Sequence, residues 1–144
     1  LLLLILSSWY KFTSFNLYQL ERIKSNNKDL CVFNGYDEVL LYGLMAGADG
    51  GIGSTYNAIP KMYVSLYESY LKNDFERAKV IQSKINGIIT VMCKTGVNQA
   101  VKEMLKLQGF DCNGCRSPFH AISPEESVLI KGIADEYNKF CSEG

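Results

Sequence analysis

Apolar positions recur along this chain at two periods, and the change from one to the other divides it. Leu1 to Leu6 form an unbroken apolar run, expected as a buried strand. Leu17, Leu20 and Ile23 then mark a short helical stripe that Asn26 and Asn27 end. Leu30-Cys31-Val32-Phe33 is a compact run of strand formers closed by Asn34-Gly35, which predicts a second buried strand. Asp37 is placed to cap a helix whose apolar face would be Val39, Leu40, Leu44 and Met45, with Gly47 as its stop. Ala48 to Gly53 reads as a very short strand whose glycines imply close backbone approach. Strand, helix and strand on short connections predict consecutive βα units of a parallel sheet.

Beyond residue 57 the period is helical throughout. Met62, Leu66 and Tyr70 share one face of a helix over 58–71, with Pro60 tolerated in its first turn. Asn73-Asp74-Phe75-Glu76 resembles a capping box before a long amphipathic helix reaching about Thr95, which Gly96 breaks. Val97, Val101 and Leu105 mark the next helix, ended by Gly109. After a loop over 110–122, Ser123-Pro124-Glu125-Glu126 predicts the start of a last helix running to about Cys141. Two or three βα units and a helical tail do not close a fold, because a parallel barrel has eight strands and roughly 250 residues.

Composition adds exclusions. The chain has 144 residues, enough for one domain with a sizeable core, and 15 basic residues balance 15 acidic ones. That balance leaves no electrostatic footprint for nucleic acid or an anionic membrane. The Leu1–Leu6 run is far shorter than the ~20 residues that span a bilayer, and it lacks the basic flank of a signal peptide. No initiator methionine precedes Leu1, so the expectation is a chain that begins part-way through a larger protein. Five cysteines, an odd number without a secretory signal, argue against a disulfide framework and for a cytoplasmic location.

In parallel α/β folds ligands gather at the carboxyl ends of strands. Three such ends carry polar groups here: Lys11 and Thr13; Gly35, Asp37 and Glu38; and Gly53, Ser54 and Thr55. Lys11 lies between Tyr10 and Phe12, and a desolvated lysine amine is a nucleophile toward carbonyls. Set against that is an ordinary strand-end lysine facing water. Asp37 and Glu38 could serve as a helix cap and a first-turn acid, or could accept hydrogen bonds from a polyol. The glycine spacing at residues 50–53 does not fit a dinucleotide fingerprint. Cys112 and Cys115 have C-x-x-C spacing, but His120, the single histidine, cannot complete four zinc ligands with them. A redox role would want that pair opening a helix after a strand, and it lies in a loop. The tyrosines at 63, 67 and 70 follow helical spacing and read as packing.

Three stretches together resemble the N-acetylneuraminate lyase branch of the class I aldolases that includes the dihydrodipicolinate synthases. Lys11-Phe12-Thr13-Ser14 with Asn16-Leu17-Tyr18 is similar to the Schiff-base lysine segment, Phe33 to Glu38 to the strand-end Gly-x-Asp-Glu motif, and Gly47 to Asn57 to the segment after it. Lys94-Thr95-Gly96 and Cys115-Arg116 with Pro118 continue the likeness. The resemblance implies a partial TIM (β/α)8 barrel, about its last three βα units over residues 11–57, with the last barrel helix and a C-terminal helical extension over 58–144. It implies cleavage of N-acetylneuraminate to pyruvate and N-acetylmannosamine, without metal or cofactor, by a family whose members are usually homotetramers. Lys11 would form the imine, Thr13 would sit beside it, and Gly35, Asp37, Glu38 and Ser54 would hold the glycerol side of the substrate.

The departures are equally specific. Family members have a glycine two residues before the lysine, where Ser8-Trp9-Tyr10 stands here, so residues 1–10 are expected to be unlike the family. The first five strands have no counterpart, nor have the acid/base tyrosine and the Ser-Thr pair that grips the substrate carboxylate. The chain is therefore expected to show at most residual activity by itself. The alternative is a catalytically inactive half-barrel that assembles with a full-length homologue. A redox or metal module built on Cys112 and Cys115 rests on spacing only.

Overall fold

The computed structural model describes residues 9–143, which form two compact units divided between Gly53 and Ser54. The Leu1–Leu6 run expected as a strand lies outside the described residues.

In the first unit three strands, β1 (Trp9–Phe12), β2 (Cys31–Asn34) and β3 (Gly50–Gly51), form a parallel sheet in the order β1-β2-β3. Helix α1 (Leu17–Asn26) crosses from β1 to β2 and α2 (Leu40–Met45) from β2 to β3, as consecutive βα units require. Asn16 caps α1 by accepting from the Gln19 N–H at 3.0 Å, and Asn27 closes it. One sheet face is covered: Phe12, Leu20, Val32 and Ala48 are buried together, with Ile23 and Leu30 packed beside them. β1 begins at Trp9, so the division expected after Tyr10 falls inside a strand. Trp9 and Tyr10, which stand where the family has its glycine, are each about half exposed among the described residues, Trp9 54% and Tyr10 48%.

The register of β2 is braced from outside the sheet. Asp49 accepts from the Val32 N–H at 2.7 Å and from the Lys24 ammonium at 2.8 Å, and the same ammonium donates to the Leu30 carbonyl at 2.8 Å. Partial burial pushes the Asp49 carboxyl up, but the Lys24 contact and the Val32 N–H outweigh it and hold the group below the usual carboxylate range. A depressed folded-state pKa gives stability that is present above the unfolded value of about 3.9 and is lost as pH falls through the lower folded value. Asp49→Asn is therefore expected to lower the urea midpoint by a constant amount above pH ~5, the gap closing in more acidic buffer. Equal gaps at both ends of the titration would remove the ionic brace from this account.

Unit two opens with a 3-10 turn over Thr55–Asn57 and continues as four helices: α3 (Pro60–Leu71), α4 (Phe75–Thr95), α5 (Val97–Leu107) and α6 (Pro124–Glu143). Pro60 stands in the first turn of α3, where its missing N–H costs nothing. Asp74 caps α4 by accepting from the Arg77 N–H at 3.1 Å, and Gly96 breaks it with a φ of 84°. Ser123 and Glu126 form a reciprocal capping box: the Ser123 N–H donates to Glu126 at 2.8 Å and the Glu126 N–H to the Ser123 hydroxyl at 3.2 Å. Leu66, Ile85, Ile88, Met92, Met104 and Ile130 are fully buried and make the core of this unit. Tyr70, expected on the buried stripe of α3, is half-exposed, and Tyr63 is buried instead with its hydroxyl 2.6 Å from that of Thr55.

Candidate active site

Alternation along a strand decides which side chains can meet. Phe12 and Val32 point to the helix-covered face, so Lys11 and Phe33 point to the other, and the register sets Lys11, Phe33 and Gly50 in line across the sheet. Pairing continues past the strand ends: the Gly35 N–H donates to Phe12 O at 2.8 Å and the Ile52 N–H to Asn34 O at 2.9 Å. The turns carrying the candidate residues thus start from a hydrogen-bonded edge.

Three of the six candidates meet there. The missing side chain of Gly35 is what lets them: a Cβ at that position would overlap the Thr13 hydroxyl and come within 3.0 Å of Lys11 Cε. Lys11 therefore runs beside Thr13 over the Gly35 backbone. Lys11 is itself exposed among the described residues, so the desolvated setting expected for its amine is not supplied by them. The physical reason is that among the described residues β1 is the edge of the sheet, with β2 as its neighbour on one side.

Asp37 does not do what its sequence position suggests. The segment after β2 opens as a 3-10 turn over Asp37–Val39, and Tyr36, not Asp37, occupies the cap position, without a side-chain hydrogen bond. The Asp37 carboxylate is buried and lies instead against Gly53, where a Cβ would collide with it. Glu38 follows in the same turn and is half-buried. The buried residues of α2 are Leu40, Leu41, Gly43 and Leu44, and Met45, expected among them, is 56% exposed. Ser54 opens the second unit; it is exposed, and its carbonyl accepts from the Asn57 N–H at 3.2 Å.

Two features of this end of the sheet escaped the sequence pattern. Phe15 and Tyr36, on the turns after β1 and β2, stack with ring centroids 4.3 Å apart and planes 8° from parallel. Asn34, the last residue of β2, is fully buried. Its only sequence signal is a polar residue ending an apolar run.

Chemically, the cluster offers a primary amine beside a hydroxyl, with a buried carboxylate and a second carboxylate on the next turn. An amine so placed can condense with a carbonyl, and the carboxylates can accept from sugar hydroxyls. The second unit carries its own grooves. Its groove of about 570 Å³, lined by Lys61, Arg77 and Phe140 among others, contains none of the six candidates. Lys102 holds the loop of Cys112 and Cys115 by donating to Cys112 O at 3.2 Å and Gly114 O at 3.0 Å. Among the described residues no group of three metal-ligating side chains forms, and no helix is long and apolar enough to cross a membrane.

Comparison with known proteins is consistent over the chain. The profile of the dihydrodipicolinate synthetase family matches residues 9–136. N-acetylneuraminate lyase 2 of Escherichia coli O6:H1 is 39% identical over 126 residues, which is 87% of this chain and 41% of that protein. The N-acetylneuraminate lyase of Escherichia coli strain K12 is 37% identical over 127 residues, 88% of this chain and 43% of its own length. Among solved structures, N-acetylneuraminate lyase from Fusobacterium nucleatum complexed with pyruvate superposes with a TM-score of 0.84 at 35% identity, covering 88% of this chain and 43% of that one. Ruminococcus gnavus sialic acid aldolase gives a TM-score of 0.86 at 28% identity, covering 90% and 44%. The chain spans less than half the length of each of these relatives. The fold is thus α/β, part of a (β/α)8 barrel with a C-terminal helical extension.

Proposed function

Because the chain belongs to the dihydrodipicolinate synthetase family, we propose that it is the C-terminal part of a Schiff-base aldolase that cleaves N-acetylneuraminate to pyruvate and N-acetylmannosamine. The observation that carries this reading is the meeting of Lys11, Thr13 and Gly35 at the carboxyl ends of β1 and β2. Residues 11–57 supply βα units of the barrel, and 58–144 the last barrel helix and its extension.

In this scheme the Lys11 amine adds to the C2 keto carbon, and water leaves to give a protonated imine. That cation draws electrons from the C3–C4 bond, which breaks as the C4 hydroxyl loses its proton and becomes the aldehyde of N-acetylmannosamine. The resulting enamine takes a proton at C3, and water hydrolyses the imine to free pyruvate and return the amine. Thr13 hydrogen-bonds beside the imine, and Gly35, Asp37, Glu38 and Ser54 hold the glycerol chain. The scheme calls on no metal or organic cofactor. The acid/base group and the carboxylate grip belong to the strands that precede these in the family, so activity needs the rest of the barrel. A cytoplasmic homotetramer is the assembly we propose for the completed protein.

The test is completion of the barrel. Residues 11–144 joined in one chain to the N-terminal strands of the Fusobacterium nucleatum relative should release pyruvate from N-acetylneuraminate, while the chain without them should release at most a trace. A folded hybrid that leaves the sugar acid intact would refute the proposal. The outer edge of β1, unpaired among the described residues, favours a second reading: an inactive half-barrel that assembles with a full-length homologue. Co-elution of the chain with such a homologue, without any gain in turnover, would distinguish it.

A further inference from the structure

Asn34 sits at the centre of the sheet, in register with Phe12 of β1 and Gly51 of β3, and it is wholly buried. Its Nδ2 donates to the Tyr36 carbonyl at 2.5 Å, spanning the turn that carries Gly35. Its Oδ1 has no hydrogen-bond partner among the described residues, and it lies against the backbone of Gly43 in α2, where a Cβ would come within 2.5 Å. A buried acceptor without a donor is a cost to stability, and strand geometry does not ask for it: a valine would fill a β-position facing a helix. A side chain kept against the interest of the fold points to a role in the site it borders.

We propose that Asn34 is a positioning residue. Its carboxamide wedges between α2 and the turn, fixes the Tyr36 carbonyl, and so sets the Gly35 backbone over which Lys11 and Thr13 lie and the path of the chain into Asp37. The turn is held at both ends, by Asn34 inside and by the Phe15–Tyr36 stack outside. The inference rests on the aldolase reading for its chemistry, but the mechanical part stands apart from it.

The test compares wild type, Asn34→Val and Asn34→Asp in the whole chain. Asn34→Val removes donor and orphan acceptor together. Its unfolding midpoint should match or exceed wild type, while amide hydrogen exchange at Tyr36 to Glu38 speeds up at least tenfold and exchange in α1 stays unchanged. Borohydride trapping of pyruvate at Lys11 should slow about tenfold at saturating pyruvate. Asn34→Asp keeps the shape and can donate to the Tyr36 carbonyl only when its carboxyl is protonated, so its trapping rate relative to wild type should rise as pH falls. Unaltered exchange in the turn, or unaltered trapping despite faster exchange, would overturn the proposal. If wild type itself forms no adduct, this chain does not retain imine chemistry by itself, a result separate from the completed-barrel test of the aldolase reading, and the exchange measurement still decides whether Asn34 holds the turn.

Discussion

Gly35→Ala will lose both stability and pyruvate adduct, although it adds one methyl group. The new Cβ would overlap the Thr13 hydroxyl, stand 2.9 Å from Thr13 Cβ and come within 3.0 Å of Lys11 Cε. The Lys11 chain can swing aside, but Thr13 Cβ is tied to its backbone, and the Gly35 N–H is tied to Phe12 O at 2.8 Å. Either the turn lifts from the sheet or Thr13 rotates away. Overpacking of this kind costs roughly 1–3 kcal/mol, visible as a lower urea midpoint. A displacement of about 1 Å at a reacting group costs on the order of 100-fold in rate, visible as slower trapping of pyruvate by borohydride. A variant with wild-type midpoint and trapping would mean that the close approach of the two strand ends has no bearing on the site.

Lys11→Met should separate chemistry from folding. Lys11 is exposed and faces away from the buried cluster, so the substitution should change stability by no more than about 0.5 kcal/mol. The adduct should vanish altogether, because methionine has no nitrogen to condense with a ketone. Residual adduct at the wild-type level would transfer the chemistry to another amine. Lys24 is a poor substitute, since its ammonium is committed to Asp49 and the Leu30 carbonyl.

The contrast between Lys11 and Asp37 shows what was legible in the sequence. Helix ends written in local chemistry were readable: the Asp74 cap, the Gly96 break and the Ser123–Glu126 box each depend on residues within a few positions. So was the order of elements from α1 onward, because apolar period and turn residues are local signals too; the first strand was expected over residues 1–6, outside the described residues, whereas β1 stands at Trp9–Phe12. Asp37 has the spacing of a cap, but its carboxylate meets Gly53, a neighbour only once β3 lies beside β2. The brace from Lys24 to Asp49 joins residues 25 positions apart, and nothing in either segment announces it. Met45 and Leu41 exchange expected roles because a 3-10 turn precedes α2 and rotates its face by part of a turn.

For the site the limit was different. Lys11 was nominated as a strand-end amine, and at that level an ordinary solvent-facing lysine explained it as well. What distinguishes it now is the company of Thr13 and the bare backbone of Gly35, together with membership of a family of lyases. The Phe15–Tyr36 stack and the buried Asn34 carboxamide had no comparable signal, since each depends on two turns being side by side.

One measurement bears on the central claim most directly. The folded chain is incubated with pyruvate, reduced with borohydride and digested, and the modified peptide is located by mass spectrometry. The account predicts a single pyruvate-derived adduct on Lys11, absent from Lys11→Met. Folded protein that stays unmodified at Lys11, or that is modified at another lysine while Lys11 is spared, would contradict it.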